Sequence, residues 1–322
     1  MIAAVYKMYG SPNVVHLKEL PKPVTTAGQI LVKIHTTTVN RTDTGFRSAY
    51  YVISRLFSGL FYPKQPVLGC EYSGIIESLG NCVNGFSVGD AVFGYDDQNF
   101  GGHAEYKLVD RNSLISKIPT SINISHAAAL TEGSHYALSN IRAAKVSKAS
   151  TVMVYGATGA IGSASVQLLK HFGAFVVAVA GTDHQETIKN LGADIAIDYQ
   201  TQDFLQTSYR FDFIFDAVGK TSYAKCKPLL KKTGIYGSTE LGKNSQNVLL
   251  SLVTSFRKGK KVISPFPKFE IEDLELLKQL AQDEKFKPLI DRTFPFDQIR
   301  DAHIYVDAGQ KIGNVLVSVS EN

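Results

Sequence analysis

Three glycines with a spacing of three residues follow a short run of β-branched and aromatic side chains. The run extends from Thr151 to Tyr155, and Gly156, Gly159 and Gly162 come after it. Glycines at the start of a helix let the backbone approach an anion, because the first turn offers unbonded N–H groups and the positive end of the helix dipole. This spacing therefore favours binding of a dinucleotide through its pyrophosphate.

The match to the dinucleotide fingerprint G-x-G-x-x-G is incomplete, since Ala157 stands where the first glycine would be. The flanking sequence supplies the context that the fingerprint needs. Apolar residues from Ile161 to Phe172 recur at helical intervals, and Phe175 to Ala180 predicts a second buried strand. Strand, glycine turn, helix and strand together predict a dinucleotide-binding βαβ unit. The alternative is a glycine-rich turn in another kind of α/β protein.

The composition is that of an ordinary globular protein. The chain has 322 residues, a net charge of +5, 44% hydrophobic residues and 20% charged residues, which is enough for two domains. The basic run Arg257 to Lys261 is short and predicts a solvated turn rather than a nucleic-acid surface. Three cysteines without a regular spacing, and no signal peptide or long apolar segment, lead us to expect a cytoplasmic protein without a membrane span.

The composition and the hydrophobic pattern of the sequence change after about residue 120. Before this point, short strand-like segments separated by turns predict a small barrel-like β domain. An alanine-rich helical stretch then covers residues 125–146. After the βαβ unit, strands alternate with helical patterns, which predicts a doubly wound parallel sheet. The predicted later strands are Ile195–Asp198, Phe213–Asp216, Gly234–Ser238 and Lys261–Ser264, and the end of the chain predicts helices over Asp273–Glu284 and Pro295–Val306 and a strand over Val315–Val319.

A polar stretch from Thr36 to Tyr51, TTTVNRTDTGFRSAYY, interrupts the β-rich region. It contains arginines, tyrosines and an aspartate, and it is typical of a site loop that enters a short helix. A solvated loop without a function explains the same pattern equally well. Both interpretations stay open at this point.

The ordered segments along the chain carry a family resemblance. They include AAVYKMYGSPNVVHLKELPKP, VKIHTTTVNRTD, LGCEYSGIIESLG, GGHAEYKLV, YGATGAIGSASVQLLK and LGADIAIDY. Together they resemble the medium-chain dehydrogenase/reductase superfamily, in its zinc-lacking, quinone-oxidoreductase-like branch. The resemblance implies an α/β protein in which a Rossmann doubly wound parallel sheet, expected over residues 122–266, is inserted in a β-rich GroES-like catalytic domain, expected over residues 1–121 and 267–322.

The resemblance also bears on zinc. By motif alignment, the three catalytic-zinc ligand positions of zinc-dependent relatives fall on Asn40, Cys70 and Glu132. Asparagine is a poor zinc ligand, and the usual set of sulfur and imidazole ligands is lost. We therefore expect no bound metal. A site built from Cys70 and Glu71 is the alternative.

Cofactor choice depends on the residues that follow the second strand of the βαβ unit. An acidic residue there usually accepts hydrogen bonds from the ribose of NAD, whereas the neutral Ala180-Gly181-Thr182 leaves room for the 2′-phosphate of NADPH. The charge of Asp183 argues against this, and Thr182 could simply cap the next helix. Together with positions matched from similar proteins, the residues expected to contact NADPH are Gly156, Ala157, Thr158, Gly159, Ala160, Ile161, Gly162, Gly181, Thr182, His184, Tyr199, Val218, Gly219 and Asn314.

Without zinc, the acceptor must be activated by hydrogen bonds or be electrophilic by itself. Quinones and α,β-unsaturated carbonyls meet the second condition. Tyr136 matches a family position beside the nicotinamide that is commonly threonine, so its phenol could stabilise a developing enolate, or it could only pack between the domains. His135 is the lesser candidate for an acid. The residues expected to line the acceptor pocket are Tyr136, Asn40, Asp43, Arg47 and Tyr50.

These considerations predict an NADPH-dependent reductase of quinones or α,β-unsaturated carbonyls. The alternatives are an enoyl-thioester reductase, which needs a longer groove, and a non-catalytic NADPH-binding module. The expected partners are a small-molecule substrate and a second copy of the chain. The resemblance implies a homodimer formed through the edge strand at Lys261–Ser264. We expect neither nucleic acid nor a membrane as a partner.

Overall fold

The computed structural model describes residues 1–50 and 55–320. Tyr51, at the end of the predicted site loop, and residues 321–322 of the predicted catalytic domain lie outside this range. The elements of the first part of the chain are β1 (Ile2–Val5), β2 (His16–Glu19), β3 (Gln29–Val39), α1 (Arg41–Ser48), α2 (Arg55–Ser58), β4 (Glu71–Leu79), β5 (Ala91–Tyr95), β6 (Tyr106–Asp110), β7 (Leu114–Lys117) and α3 (Ile124–Ala127).

The middle of the chain alternates strands and helices. Its elements are α4 (Glu132–Ala143), β8 (Thr151–Tyr155), α5 (Ala160–His171), β9 (Phe175–Ala180), α6 (Gln185–Asn190), β10 (Ile195–Asp198), β11 (Phe211–Asp216), α7 (Tyr223–Cys226), β12 (Leu230–Ser238), α8 (Gln246–Ser255) and β13 (Lys261–Ile263). The last part of the chain contains α9 (Ile271–Gln282), β14 (Ile290–Pro295), α10 (Ile299–Asp307) and β15 (Asn314–Ser318). Among all the helices that the structure describes, none is both long enough and apolar enough to cross a membrane.

The chain divides into two compact units. The β-rich unit comprises residues 1–132, 270–282 and 290–322, and the parallel-sheet unit comprises residues 133–269 and 283–289. The first boundary lies later than the expected 121/122 because α3 packs against β3, β4 and β5. The segment 283–289 belongs to the parallel-sheet unit because the Gln167 side-chain amide pairs with the backbone of Lys287, at 3.0 and 2.8 Å.

The main sheet of the β-rich unit is built from both ends of the chain. Its strand order is β14-β15-β3-β4-β5-β7, with β6 also paired to β3. Strand β15 lies antiparallel to β3, so that Val315 faces Val39 and Ser318 faces Thr36. A core of buried side chains on β3 to β7 stabilises the sheet: Ile30, Val32, Ile34, Tyr72, Ile76, Val92, Val109 and Ile115. This confirms the predicted GroES-like architecture.

The parallel-sheet unit has the strand order β10-β9-β8-β11-β12-β13, and every described pair in it is parallel. From β8 the chain first moves outwards through β9 to β10 and then returns to the other side at β11. The order therefore reverses between β8 and β11. In open parallel sheets, ligands bind beyond the carboxyl ends of the strands at such a point.

The helix predicted over residues 125–146 is interrupted. It forms as α3 and α4, separated by residues 128–131. The backbone N–H groups of Thr131 and Glu132 donate to the Glu71 carboxylate, at 3.0 and 2.6 Å, instead of to a helical carbonyl. The contact spans about sixty residues of sequence, so the local alanine-rich pattern could not reveal it.

The other differences occur at prolines. Strand β2 starts only at His16, because Pro12 begins a one-turn helix over Pro12–Val14. The helix predicted from Pro295 starts at Ile299, and Pro295 instead ends strand β14, which the sequence analysis did not predict.

Candidate functional site

The turn between β8 and α5 requires glycine at two positions. Gly156 has a φ of +79°, and a Cβ atom there would lie 2.6 Å from the side chain of Val218. A Cβ atom on Gly162 would lie 2.1 Å from the carbonyl oxygen of Gly156. Because no larger residue fits, the backbone makes the close turn that the spacing of the glycines predicted.

The N-terminus of α5 lies directly after the glycine turn. Gly159 precedes the helix, and no side chain caps its first N–H groups. A Cβ atom on Gly159 would make ordinary van der Waals contacts, at 3.7 Å to the Gly156 carbonyl oxygen and 3.9 Å to Val218, so glycine is not required there for steric reasons. The N–H groups of the first turn suit the pyrophosphate of a dinucleotide. The contacts of Thr158, Ala160 and Ile161 with the cofactor stay predictions.

The expected role of Thr182 as a phosphate donor needs correction. Its hydroxyl donates to Asp198 Oδ2 at 2.7 Å, and its N–H donates to Gln200 Oε1 at 2.8 Å. The turn is therefore not free of acidic groups, because the buried Asp198 comes from the neighbouring strand, where it lies opposite Ala180. The hydrogen bond from Thr182 lowers the pKa of Asp198, which keeps this carboxylate ionised.

The other residues expected near the ribose lie around the same turn. Tyr199 follows Asp198 and is 52% exposed, and a Cβ atom on Gly181 would lie 3.6 Å from the Tyr199 hydroxyl. His184 ends the short turn that follows Gly181 and is partly exposed. The contacts of Tyr199 and His184 with a 2′-phosphate stay predictions.

A buried carboxylate shapes the loop after β11. Asp216 accepts hydrogen bonds from the N–H groups of Val218, Gly219 and Thr221, at 3.3, 2.8 and 3.1 Å, and from the Tyr236 hydroxyl at 3.1 Å. Gly219 has a φ of +68°. The carboxylate thus holds Val218 against Gly156, at the end of the strand where the sheet order reverses.

The β-rich unit contains a second group of polar residues, which we call the Glu71 cluster: Thr38, Asn40, Glu71, Thr131, Glu132, Lys311 and Asn314. Glu71 Oε1 accepts from the N–H and hydroxyl of Thr131 and from the Glu132 N–H, at 3.0, 2.6 and 2.6 Å. Glu71 Oε2 accepts from the Thr38 hydroxyl and from Asn40 Nδ2, at 2.7 and 2.9 Å. Burial raises the pKa of Glu71, while these five donors favour its ionised form.

Asn40 lies at the centre of this cluster. Its side chain is 1% exposed, and its carbonyl oxygen accepts from Lys311 Nζ at 3.2 Å. Lys311 also donates to the Gly313 carbonyl oxygen at 2.5 Å. Asn314, expected at the cofactor, also contacts this cluster, with its Oδ1 3.3 Å from Asn40 Nδ2; its contact with the cofactor stays a prediction. Sequence reasoning did not identify Lys311, because a single lysine near the end of a chain carries no local signal.

Glu132 is buried beside this network. Its Oε1 accepts from the Thr42 N–H at 3.3 Å, and its Oε2 has no hydrogen-bond partner among the described residues. Burial and the nearby carboxylates of Glu71 and Asp43 raise the pKa of Glu132 to about 8. A carboxyl group with an unbonded oxygen and such a pKa can hold or release a proton near neutral pH.

Two residues expected to line the acceptor pocket have structural partners. The carboxylate of Asp43 accepts from the N–H groups of Asn40 and Gly69, each at 3.0 Å, and so caps α1. The buried Arg47 donates to Asp307 at 2.6 Å and to the Gly10 carbonyl oxygen at 3.2 Å. We therefore assign Asp43 and Arg47 to the support of α1 rather than to the pocket wall.

The two tyrosines of the expected pocket lie in different units. Tyr50 follows α1 in the β-rich unit and is 70% exposed. Tyr136 lies on α4 in the parallel-sheet unit and is partly exposed, and its ring stacks on His135 with centroids 5.2 Å apart. The role of the Tyr136 hydroxyl as a donor stays a prediction.

The residues at the zinc-ligand positions do not form a zinc site. The described residues contain no group of three or more His, Cys, Asp and Glu side chains that could hold a metal. Burial and the nearby carboxylates of Asp43, Glu132 and Glu71 raise the pKa of Cys70 well above its usual range, so this thiol resists ionisation. We derive no step through a metal.

Comparisons with known proteins agree with this architecture. The family model described as zinc-binding dehydrogenase matches residues 191–317, and the alcohol dehydrogenase GroES-like domain matches residues 26–120. The 2-methylene-furan-3-one reductase of Solanum lycopersicum is 31% identical, over 98% of this chain and 79% of the relative. The chloroplastic NADPH-dependent alkenal/one oxidoreductase of Arabidopsis thaliana is 27% identical over the same shares.

Among solved structures, the quinone oxidoreductase from Coxiella burnetii superposes with a TM-score of 0.86 at 26% identity, over 99% of each chain. The two domain matches and the full-length relatives cover both the β-rich unit and the parallel-sheet unit. The chain belongs to the medium-chain dehydrogenase/reductase superfamily, as a quinone-oxidoreductase-like member.

Proposed function

We propose that this chain is an NADPH-dependent oxidoreductase that transfers hydride to quinones or α,β-unsaturated carbonyls without zinc. The observation that carries the proposal is the close glycine turn at the start of α5, where no side chain caps the first N–H groups and a dinucleotide pyrophosphate can bind. When bound, the reduced nicotinamide supplies the hydride. The residues of this chain bind and orient it and stabilise charge on the acceptor.

The class of acceptor follows from the relatives and from the donor set. The similar proteins carry names of reductases that act on alkenals, enones, furanones and quinones. A conjugated acceptor is already electrophilic, so it does not need a Lewis acid to take up hydride, and positioning contributes most of the rate. The absence of a fitting zinc ligand set in the described β-rich unit is consistent with such acceptors.

The preference for NADPH rests on residues around Thr182. Asp198 already accepts from the Thr182 and Thr201 hydroxyls and from the Gln200 N–H, which disperses its charge. The exposed Tyr199 hydroxyl and the His184 ring then offer donors for a 2′-phosphate. We expect NADPH to bind several-fold more tightly than NADH, and fluorescence titration with both cofactors measures this.

Assembly as a homodimer has support from an apolar stripe on the parallel-sheet unit. On α8 the exposed side chains Leu249, Leu252 and Val253 follow one another at helical spacing, and Phe256 comes directly after the helix with 91% exposure. Strand β13, beside α8, ends the described sheet and has an open edge. An open edge and an apolar stripe on one face suit pairing with a second copy about a twofold axis.

A substrate panel tests the function. Consumption of NADPH is followed with p-benzoquinone, with methyl vinyl ketone and with a short enoyl thioester, and formation of NADPH is followed with NADP and ethanol. We expect turnover of the quinone and the enone, none of ethanol, and no effect of a chelator. Tight NADPH binding without any turnover would identify a binding module instead, and zinc-dependent ethanol oxidation would overturn the proposal.

A further inference from the structure

In the Glu71 cluster, the amide hydrogens of Asn40, a residue expected at the acceptor pocket, already have acceptors within the protein. The amide nitrogen of Asn40 has two hydrogens, and its acceptors are Glu71 Oε2 at 2.9 Å, Thr38 Oγ1 at 3.2 Å and Asn314 Oδ1 at 3.3 Å. The hydroxyls of Thr38 and Thr131 donate to Glu71, at 2.7 and 2.6 Å. Asn40 therefore has no hydrogen to offer to the oxygen of a substrate.

Lys311 is different, because an ammonium group has three hydrogens. The structure gives it two acceptors, Asn40 Oδ1 at 3.2 Å and the Gly313 carbonyl oxygen at 2.5 Å. One N–H is left for a ligand. The residue as a whole is partly exposed. Its bond to Asn40 holds it beside the residue that the sequence places in the acceptor pocket.

We propose that the Lys311 ammonium donates the proton to the carbonyl oxygen of the acceptor; this inference rests on the proposed function. A reduced nicotinamide would supply hydride to the β-carbon of an enone; the C=C electron pair would then shift towards the carbonyl carbon and the C=O pair to oxygen, which gives an enolate. The enolate oxygen takes a proton from Lys311, which becomes a neutral amine. The enol then converts to the saturated ketone with exchange of protons with water, and Lys311 regains its proton from solvent.

The charges around Lys311 suit this step. Burial lowers the pKa of Lys311 to about 8, so the group is charged at neutral pH but gives up its proton more readily than an exposed lysine. The charged groups that act on the ammonium come from four other elements: Glu132, Asp291 and Glu71 raise its pKa, and Arg41 lowers it. Glu132, whose Oε2 has no partner among the described residues, gives the largest of these contributions.

Three variants separate proton donation from mere support of the fold. Lys311→Met removes the proton, Lys311→Arg keeps the charge but holds its proton far too tightly to release it, and Lys33→Met removes the same charge from an exposed site on β3. With methyl vinyl ketone at neutral pH, we expect kcat/KM to fall on the order of a hundredfold in Lys311→Met and to stay unchanged in Lys33→Met. NADPH titration shows that each variant is folded and binds its cofactor.

The pH profile gives the decisive result, because a structural role would lower the rate equally at every pH. We expect kcat/KM of the wild type to fall as the pH rises through about 8. This limb should be absent in Lys311→Met and Lys311→Arg. It should move to lower pH in Glu132→Gln, since the charge of Glu132 raises the pKa of Lys311.

Two results would overturn the inference while the proposed function stands. One is an unchanged limb in Lys311→Arg. The other is loss of turnover in Glu132→Gln with normal turnover in Lys311→Met, which would make Glu132 the donor. A wild-type protein that reduces neither methyl vinyl ketone nor p-benzoquinone would overturn the proposed function itself.

Discussion

Replacing Glu71 by glutamine should strongly destabilise the β-rich unit. The variant keeps the size of the side chain but changes one oxygen into an amide nitrogen that cannot accept. If the nitrogen replaces Oε2, it faces the Thr38 hydroxyl and Asn40 Nδ2; if it replaces Oε1, it faces the hydroxyl of Thr131 and two backbone N–H groups. In either orientation, buried donors lose their acceptor.

The size of the effect follows from these donors. The threonine hydroxyls can rotate away, so the cost comes from the N–H groups that cannot. One N–H group loses its acceptor if the nitrogen replaces Oε2, and two lose it if the nitrogen replaces Oε1. Each such group costs about 1–3 kcal/mol. We expect about 3 kcal/mol in total, which for a unit of this size lowers its melting temperature by roughly 6–12 °C. Glu77→Gln is the matched control, since Glu77 lies on the same strand β4 and only pairs with the exposed Lys22.

Thermal unfolding of both variants, followed by circular dichroism at neutral pH, measures the difference. The control should unfold within about 0.5 kcal/mol of the wild type. If Glu71→Gln behaved like the control, Glu71 would have to be protonated in the folded protein, because a neutral carboxyl and an amide present similar groups to the cluster. The reasoning that an ionised Glu71 accepts from five donors would then be wrong.

Three further predictions concern other parts of the molecule. Tyr136→Phe should slow enone reduction, and quinone reduction less, while fluorescence titration gives an unchanged NADPH affinity; equal rates would remove the tyrosine from the mechanism. Because folding raises the pKa of Glu132, its protonated form stabilises the folded protein at low pH, and this contribution is lost as the pH rises from about 4.5 to about 8. In urea unfolding across this range, the free energy of unfolding should therefore decline less in Glu132→Gln than in the wild type. Leu252→Glu should give monomers in sedimentation, whereas Ile304→Glu, at an exposed site of the β-rich unit, should not; a wild type that is monomeric at micromolar concentration would refute the dimer.

The glycine turn could be predicted because all of its determinants are local. A strand, three glycines and a helix follow one another within the βαβ unit, and the structure requires glycine at Gly156 and Gly162 for steric reasons. The order of the domains could be predicted from the family resemblance. The position of the first boundary could not, because it depends on the packing of α3 on strands that come much earlier in the chain.

The acidic residue beside the turn at Ala180-Gly181-Thr182 could not be predicted from the residues of that turn alone. The usual pattern has it at the end of β9, where this sequence offers only Ala180, Gly181 and Thr182. The structure supplies Asp198 from the end of β10, which pairs in parallel with β9. The carboxyl ends of neighbouring parallel strands meet at one edge, so a search for site residues should include the ends of both strands.

The Glu71 cluster shows the same limit for the β-rich unit, and it explains why Asn40 alone was an incomplete hypothesis. The family resemblance identified Asn40 by its position. Its amide hydrogens, however, are donated to Thr38, Glu71 and Asn314, which lie 2, 31 and 274 residues away in sequence. A buried carboxylate with five donors fixes the orientation of this amide, so its oxygen is presented to Lys311. In the proposed mechanism, Asn40 acts through the lysine that it holds. A substitution of Asn40 should therefore change the rate by the same route as a substitution of Lys311.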